Sequence, residues 1–155
     1  NNMATTTATV TINSSDLTGD ALSLSTTTTL YKADQTVGLE NTSGVARTLV
    51  AAAAATDLSS GLVNLFLDAK YTNDGAHKVY IANKATDATH KATVLIENVV
   101  IGVLYAGDWM FIPWTSNSTT TPIGGVGNLS TVTGVDIKVA TSHANMVLEH
   151  MIISE

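Results

Sequence analysis

Short segments in which polar and apolar side chains alternate recur along this chain, and no 3.6-residue apolar stripe accompanies them. A period of two sends successive side chains to opposite faces of a strand, so the pattern restricts the fold to sheets. Residues 4–13 set Thr5, Thr7, Thr9 and Thr11 against Ala8, Val10 and Ile12, as a strand with one buried face does. Residues 22–31 alternate again, with Leu22, Leu24 and Leu30 sharing parity with Thr26 and Thr28. Threonine supplies 25 of the 155 residues and serine another 12. Thr is branched at Cβ and favours extended backbone. These hydroxyls stand where charge is usual: Asp, Glu, Lys and Arg together make up 13%, about half the ordinary share.

Turn chemistry divides the rest of the chain. Residues 36–40 and 45–53 read as strands, with Asn41-Thr42-Ser43-Gly44 a hairpin connection between them. The alanine run 51–55 favours helix intrinsically, but five residues cannot hold one alone, so it reads as a strand end or a single turn. Residues 62–71 are apolar and close at Asn73-Asp74-Gly75. Two strands, 78–83 and 91–97, flank a polar loop at residues 86–89. Residues 99–105 turn at Ala106-Gly107 into 108–114, an arrangement expected to pair as a hairpin. A Ser/Thr- and Gly-rich loop spans 115–133, long enough to be a contact loop, and residues 134–140 and 145–153 are the last strands. Nine or ten short strands at regular spacing predict an all-β fold, an antiparallel β-sandwich of jelly-roll type. A length of 155 residues fits one domain over 1–155, with 1–3 a remnant or flexible start.

Composition excludes several functions. The net charge is −6 and Arg47 is the only arginine, so the basic footprint of a nucleic-acid binder is missing. The longest apolar stretch, 99–107, is about half of what a membrane helix needs, and no membrane partner is expected. The first Lys or Arg is Lys32, so no charged region precedes an apolar core and no secretory signal is expected. The absence of cysteine removes disulfides, iron–sulfur clusters and thiolate zinc sites.

No residue pattern specifies catalysis, a metal or a cofactor. His77, His90, His143 and His150 lack the i, i+2 spacing that would place two ligands on one strand face, although His77 and His90 face each other in the expected hairpin. Asp16 and Asp20 flank a Gly-containing turn without the remainder of a calcium loop. Gly124-Gly125-Val126-Gly127 lacks the Lys-Ser/Thr and the helix of a phosphate loop. No Gly-x-Ser-x-Gly elbow is present, and Glu97 and Glu149 are the only glutamates in apolar strands. The chain is therefore expected not to be an enzyme.

One segment is apolar on both faces. Alternation puts Trp109 and Phe111 on one side and Met110, Ile112 and Trp114 on the other, so the strand should be covered twice. Its second cover is part of the same chain, a neighbouring subunit, or a sugar stacked on the rings. Pro113 cannot donate to a ladder and marks an edge or a bulge. The last strand is two-faced as well, with Met146, Leu148 and Ile152 opposite Val147, Met151 and Ile153.

Tyr105-Ala106-Gly107-Asp108-Trp109 leading into Phe111-Ile112-Pro113-Trp114, with Met146-Val147-Leu148-Glu149-His150 near the end, resembles small virion proteins of tailed bacteriophages, the marine and cyanobacterial ones above all. Lys78-Val79-Tyr80-Ile81-Ala82-Asn83 belongs to the same pattern, and the resemblance spans residues 77–155. Val103 and His150 depart from it, standing where a polar or basic residue and an aromatic are expected. The resemblance implies a non-enzymatic capsid decoration or cement protein on the virion surface, made in the host cytoplasm, with no catalytic residues to carry over. Its implied partners are itself, as a homo-oligomer such as a trimer on a quasi-symmetric axis, and other capsid proteins. Apolar strands suit symmetric neighbours, and weak contacts add up when they are multivalent. On this reading Trp109, Phe111, Trp114, Met146, Leu148 and Met151 are the subunit contacts. A fibre or receptor-binding head holding host glycan through Trp109 or Trp114, and a tail-tube or filament subunit, are the alternatives.

Overall fold

A computed structural model of the chain describes residues 5–15, 22–32, 37–50, 62–66, 77–96, 99–114 and 136–154, without the side chains of residues 48–50, 66 and 114. Among these residues there is no helix, and eleven strands form three antiparallel sheets. The alanine run, Asn73-Asp74-Gly75, the loop at 115–133 and residues 1–3 lie outside the described residues.

Two sheets make the sandwich. One has the order β5 (Val63–Phe66), β10 (Ile137–Thr141), β7 (Ala92–Ile96), β8 (Val99–Leu104). The other has β11 (Met146–Ser154) beside β6 (His77–Asn83) and then β9 (Trp109–Trp114). On its far side β11 pairs in turn with β3 (Asn41–Thr42) and β4 (Ala46–Val50). The inward side chains meet in one core: Val79 and Ile81 of β6, Ala92 and Val94 of β7, Leu104 of β8, Ile137 and Val139 of β10, and Met146, Leu148 and Ile152 of β11. Burying each of the larger ones contributes about 1.5–3 kcal/mol.

Three expected hairpins are not formed. β6 and β7 do not pair, nor do β8 and β9; each pair divides between the two sheets. The expected strand 36–40 does not pair with 45–53: Gly38 bridges Tyr31, the expected connection at Asn41–Thr42 is itself β3, and β3 and β4 both pair with β11. The reason is burial. The apolar faces of β6 and β7 are both inward, so they meet across the roughly 10 Å gap between packed sheets, not side by side. Alternation marks which face is buried but not which strand lies alongside.

Asn83 anchors one such crossing. It is fully buried, donates through Nδ2 to the carbonyls of His90 and Leu104 at 3.1 Å each, and accepts from the Ala85 amide at 3.0 Å. Its own amide donates to Asp108 O and its carbonyl accepts from Gly107 N.

The third sheet is a hairpin of β1 (Thr7–Ser14) and β2 (Leu22–Thr29), paired from Thr7↔Thr29 to Ser14↔Leu22. Its two faces differ. One is polar throughout, with Thr9–Thr27 and Thr11–Ser25 hydroxyl pairs at 2.8 and 3.2 Å and Ser23 donating to Asn13. The opposite face carries Ala8, Val10, Ile12, Leu22 and Leu24. At the hairpin base, Leu30 N donates to Thr6 O and Leu39 N to Leu30 O, with both leucines buried.

Candidate functional site

The outer face of the five-stranded sheet brings together three of the chain's eight aromatic residues, Tyr80, Trp109 and Phe111. Register places Trp109, Ala82, Glu149 and Arg47 in one row across β9, β6, β11 and β4, and Phe111, Tyr80 and Met151 in the next. Trp109 is 55% exposed, and its ring lies 6.4 Å from that of Tyr80, tilted by 39°. Tyr80 Oη donates to Glu149 Oε1 at 3.3 Å, and Arg47 Nε donates to Glu149 Oε2 at 2.9 Å. The hydrogen bond from Arg47, with help from the Lys84 charge and the Tyr80 hydroxyl, holds the Glu149 carboxyl below its ordinary value. Burial, reinforced by the Glu149 charge, pushes the Tyr80 phenol up. The result is an indole face beside a charge-assisted network.

A second cluster sits where the loops after β6 and β10 meet. The His90 and His143 rings stack at 4.2 Å, 28° from parallel. Ser142 Oγ is 2.9 Å from His143 Nδ1 and accepts from Lys91 N at 2.8 Å. Asp87 Oδ2 is 3.9 Å from His90 Nε2, and hydrogen bonds from the Thr89 hydroxyl and amide hold the Asp87 carboxyl low. A depression of about 300 Å³ adjoins this cluster, lined by Lys91, Thr93, Val103, Tyr105 and residues 140–142. Lys91 Nζ lies 5.3 Å from the centre of the Tyr105 ring. Stacked rings direct their in-plane lone pairs apart, and no group of three ligating side chains suited to a metal exists among the described residues. His77 begins β6 at its other end, so it does not face His90; the expected pairing is replaced by His90 with His143.

The expected contact residues separate. Trp109, Phe111 and Met151 share the outer face. Met146 and Leu148 do not belong with them: at 2% and 0% exposure they are core residues, because their parity on β11 points them between the sheets. Trp114 ends β9 opposite His77, and its side chain lies outside the described residues.

Sequence reasoning missed the Arg47–Glu149 pair that shares a row with Trp109. Arg47 and Glu149 are 102 positions apart, and nothing in either segment announces the other. It found the strand at 99–105 but missed that β8 ends the four-stranded sheet with Val99, Val100, Ile101 and Val103 between 39% and 67% exposed. Tyr105 and Trp109, after β8 in the chain, extend this apolar rim at 52% and 55% exposure, with Asp108 between them and Lys91 against the Tyr105 ring as its bordering charges. No protein-family model, curated protein or solved structure matches the chain.

Proposed function

We propose that this chain is a non-enzymatic virion protein of the tailed-bacteriophage type, a capsid decoration or cement protein that self-associates and stabilises the capsid lattice. The observation that carries this reading is the exposed rim of Val99, Val100, Ile101, Val103, Tyr105 and Trp109. Monomeric proteins rarely leave such patches contiguous, and larger ones mark places where another molecule sits. β8 itself holds no Lys, Arg, Asp or Glu, so covering its valines and isoleucine desolvates no ion of that strand, and the charges of Lys91 and Asp108 border only its Tyr105 end. A protein surface fits it better than the charged surface of nucleic acid does. The resemblance of residues 77–155 to small phage virion proteins supports its own copies and a capsid shell as the partners proposed.

The test uses particles with and without the protein. Particles carrying it should survive heating or osmotic shock that opens particles lacking it, and purified protein added back should restore resistance. Equal survival of both would end the cementing role. The exposed indole of Trp109 beside Tyr80 and the Glu149–Arg47 pair favours one second reading, a receptor-binding head stacking a host sugar. Glycan binding by the purified protein that Trp109→Ala abolishes would move the assignment there.

A further inference from the structure

The β1–β2 hairpin has a finished polar face and an unfinished apolar one. Its hydroxyl pairs satisfy each other across the ladder, whereas Ile12, Leu22 and Leu24 opposite are 47%, 41% and 47% exposed. Ile12 and Leu24 are direct register partners, and Val10 and Leu22 adjoin them diagonally. Among the described strands, β1 and β2 pair only with each other. A two-stranded ribbon is marginal in water unless its apolar face packs on something. Among the described residues nothing covers Ile12, Leu22 and Leu24.

The same chain offers a matching vacancy. β8 ends its sheet, so one side of its backbone has no ladder partner among the described strands, and its side chains are the exposed valines and isoleucine of the rim. Edges of this kind are normally shortened, charged or covered. This one is six residues long and uncharged. The hairpin strands hold eight residues each, also without charge, so neither length nor repulsion opposes pairing.

We infer that the β1–β2 hairpin is an exchanged arm, which lies along β8 of a second copy of this chain with Ile12, Leu22 and Leu24 covered by that copy's apolar rim. This rests on the assembling role proposed above and names the device. Size favours arm on body over arm on arm. A specific interface takes roughly 20–30 residues a side; a hairpin alone brings 16, whereas arm and β8 together, in a reciprocal exchange, bring 22 from each copy. Reciprocal exchange doubles the contact, since each copy gives one arm and receives another. β2 is the more exposed of the two arm strands and is placed next to β8.

Because the chain has no cysteine, cross-linking can read the geometry directly. Full-length Ser25→Cys and Val100→Cys proteins, differently tagged, are mixed and treated with a short bis-maleimide. The expected product is the mixed pair, in excess over either like pair. Like pairs alone would overturn the inference, showing arm on arm or edge on edge. In parallel, the double variant Ile12→Asp/Leu24→Asp should keep its β circular dichroism and thermal midpoint, because neither residue belongs to the sandwich core. Its self-association should weaken by about 100-fold in sedimentation equilibrium. Undiminished association of the folded variant overturns the arm and leaves the cementing role standing. A wild-type protein that stays monomeric at every concentration also overturns the arm, while the particle test decides cementing separately.

Discussion

His150 shows how one half-buried titratable side chain couples this fold to pH. It stands on β11 opposite Ile81 and Ala46, in the inward parity of Met146, Leu148 and Ile152. Burial penalises its charged form and holds its pKa below the ordinary histidine value. The sign follows from which state binds the proton. Above a pH of about 6.5 His150 is neutral in both folded and unfolded chain and contributes nothing. Below that, the unfolded chain takes up a proton that the folded one resists, so stability falls until the lower folded pKa is passed. The carboxylates run at lower pH, since those of Asp87 and Glu149 are held down in the fold and lose their contribution only as pH falls through the acid range. Urea midpoints measured at pH 7.5 and 5.5 should therefore drop more for the wild type than for His150→Leu. Equal drops would remove His150 as the source.

At the scale of an element, the turn between β8 and β9 carries the chain from one sheet to the other. Asp108 N donates to Tyr105 O at 2.9 Å, Tyr105 N donates back to Asp108 Oδ2 at 3.0 Å, and Gly107 N donates to Asn83 O. Gly107 has φ +87°, a backbone conformation that side chains resist. Gly107→Ala should cost roughly 1–2 kcal/mol in denaturant unfolding although nothing lies within 4 Å of the added methyl. Gly102→Ala is the control: its backbone is ordinary, and its Cβ would meet only the end of Met110 at 3.3 Å, a flexible tip able to shift. A smaller loss at Gly107 than at Gly102 would contradict the assignment of strain to the turn. The sequence marked this turn through Ala106-Gly107 and marked most strands through alternation, because both signals are local. It misread the connection as a hairpin, since sheet membership is fixed by packing between residues far apart in sequence. The same distance hid the Arg47–Glu149 pair. Met146 and Leu148 looked available because parity separates two faces without saying which one is inside.

For the whole molecule, low charge becomes a statement about how copies can meet. The net charge of −6 gives each copy a weak repulsion for the next, yet β1, β2 and β8 hold no ionised side chain. Repulsion between the bodies acts through solvent and is screened with a Debye length of about 10 Å at 0.1 M salt. The proposed contact is apolar, and its strength does not depend on ion pairs that salt would weaken. Raising sodium chloride from low to physiological strength should thus leave self-association unchanged or tighten it. Sulfate should tighten it further by strengthening apolar burial, and cooling should loosen it. An interface held by the few charged groups, such as the exposed Arg47, would behave in the opposite way and dissociate as salt rises. Sedimentation equilibrium across a salt series and at two temperatures separates the two, and salt-driven dissociation would reassign the contact from the uncharged arm and β8 to the charged outer face.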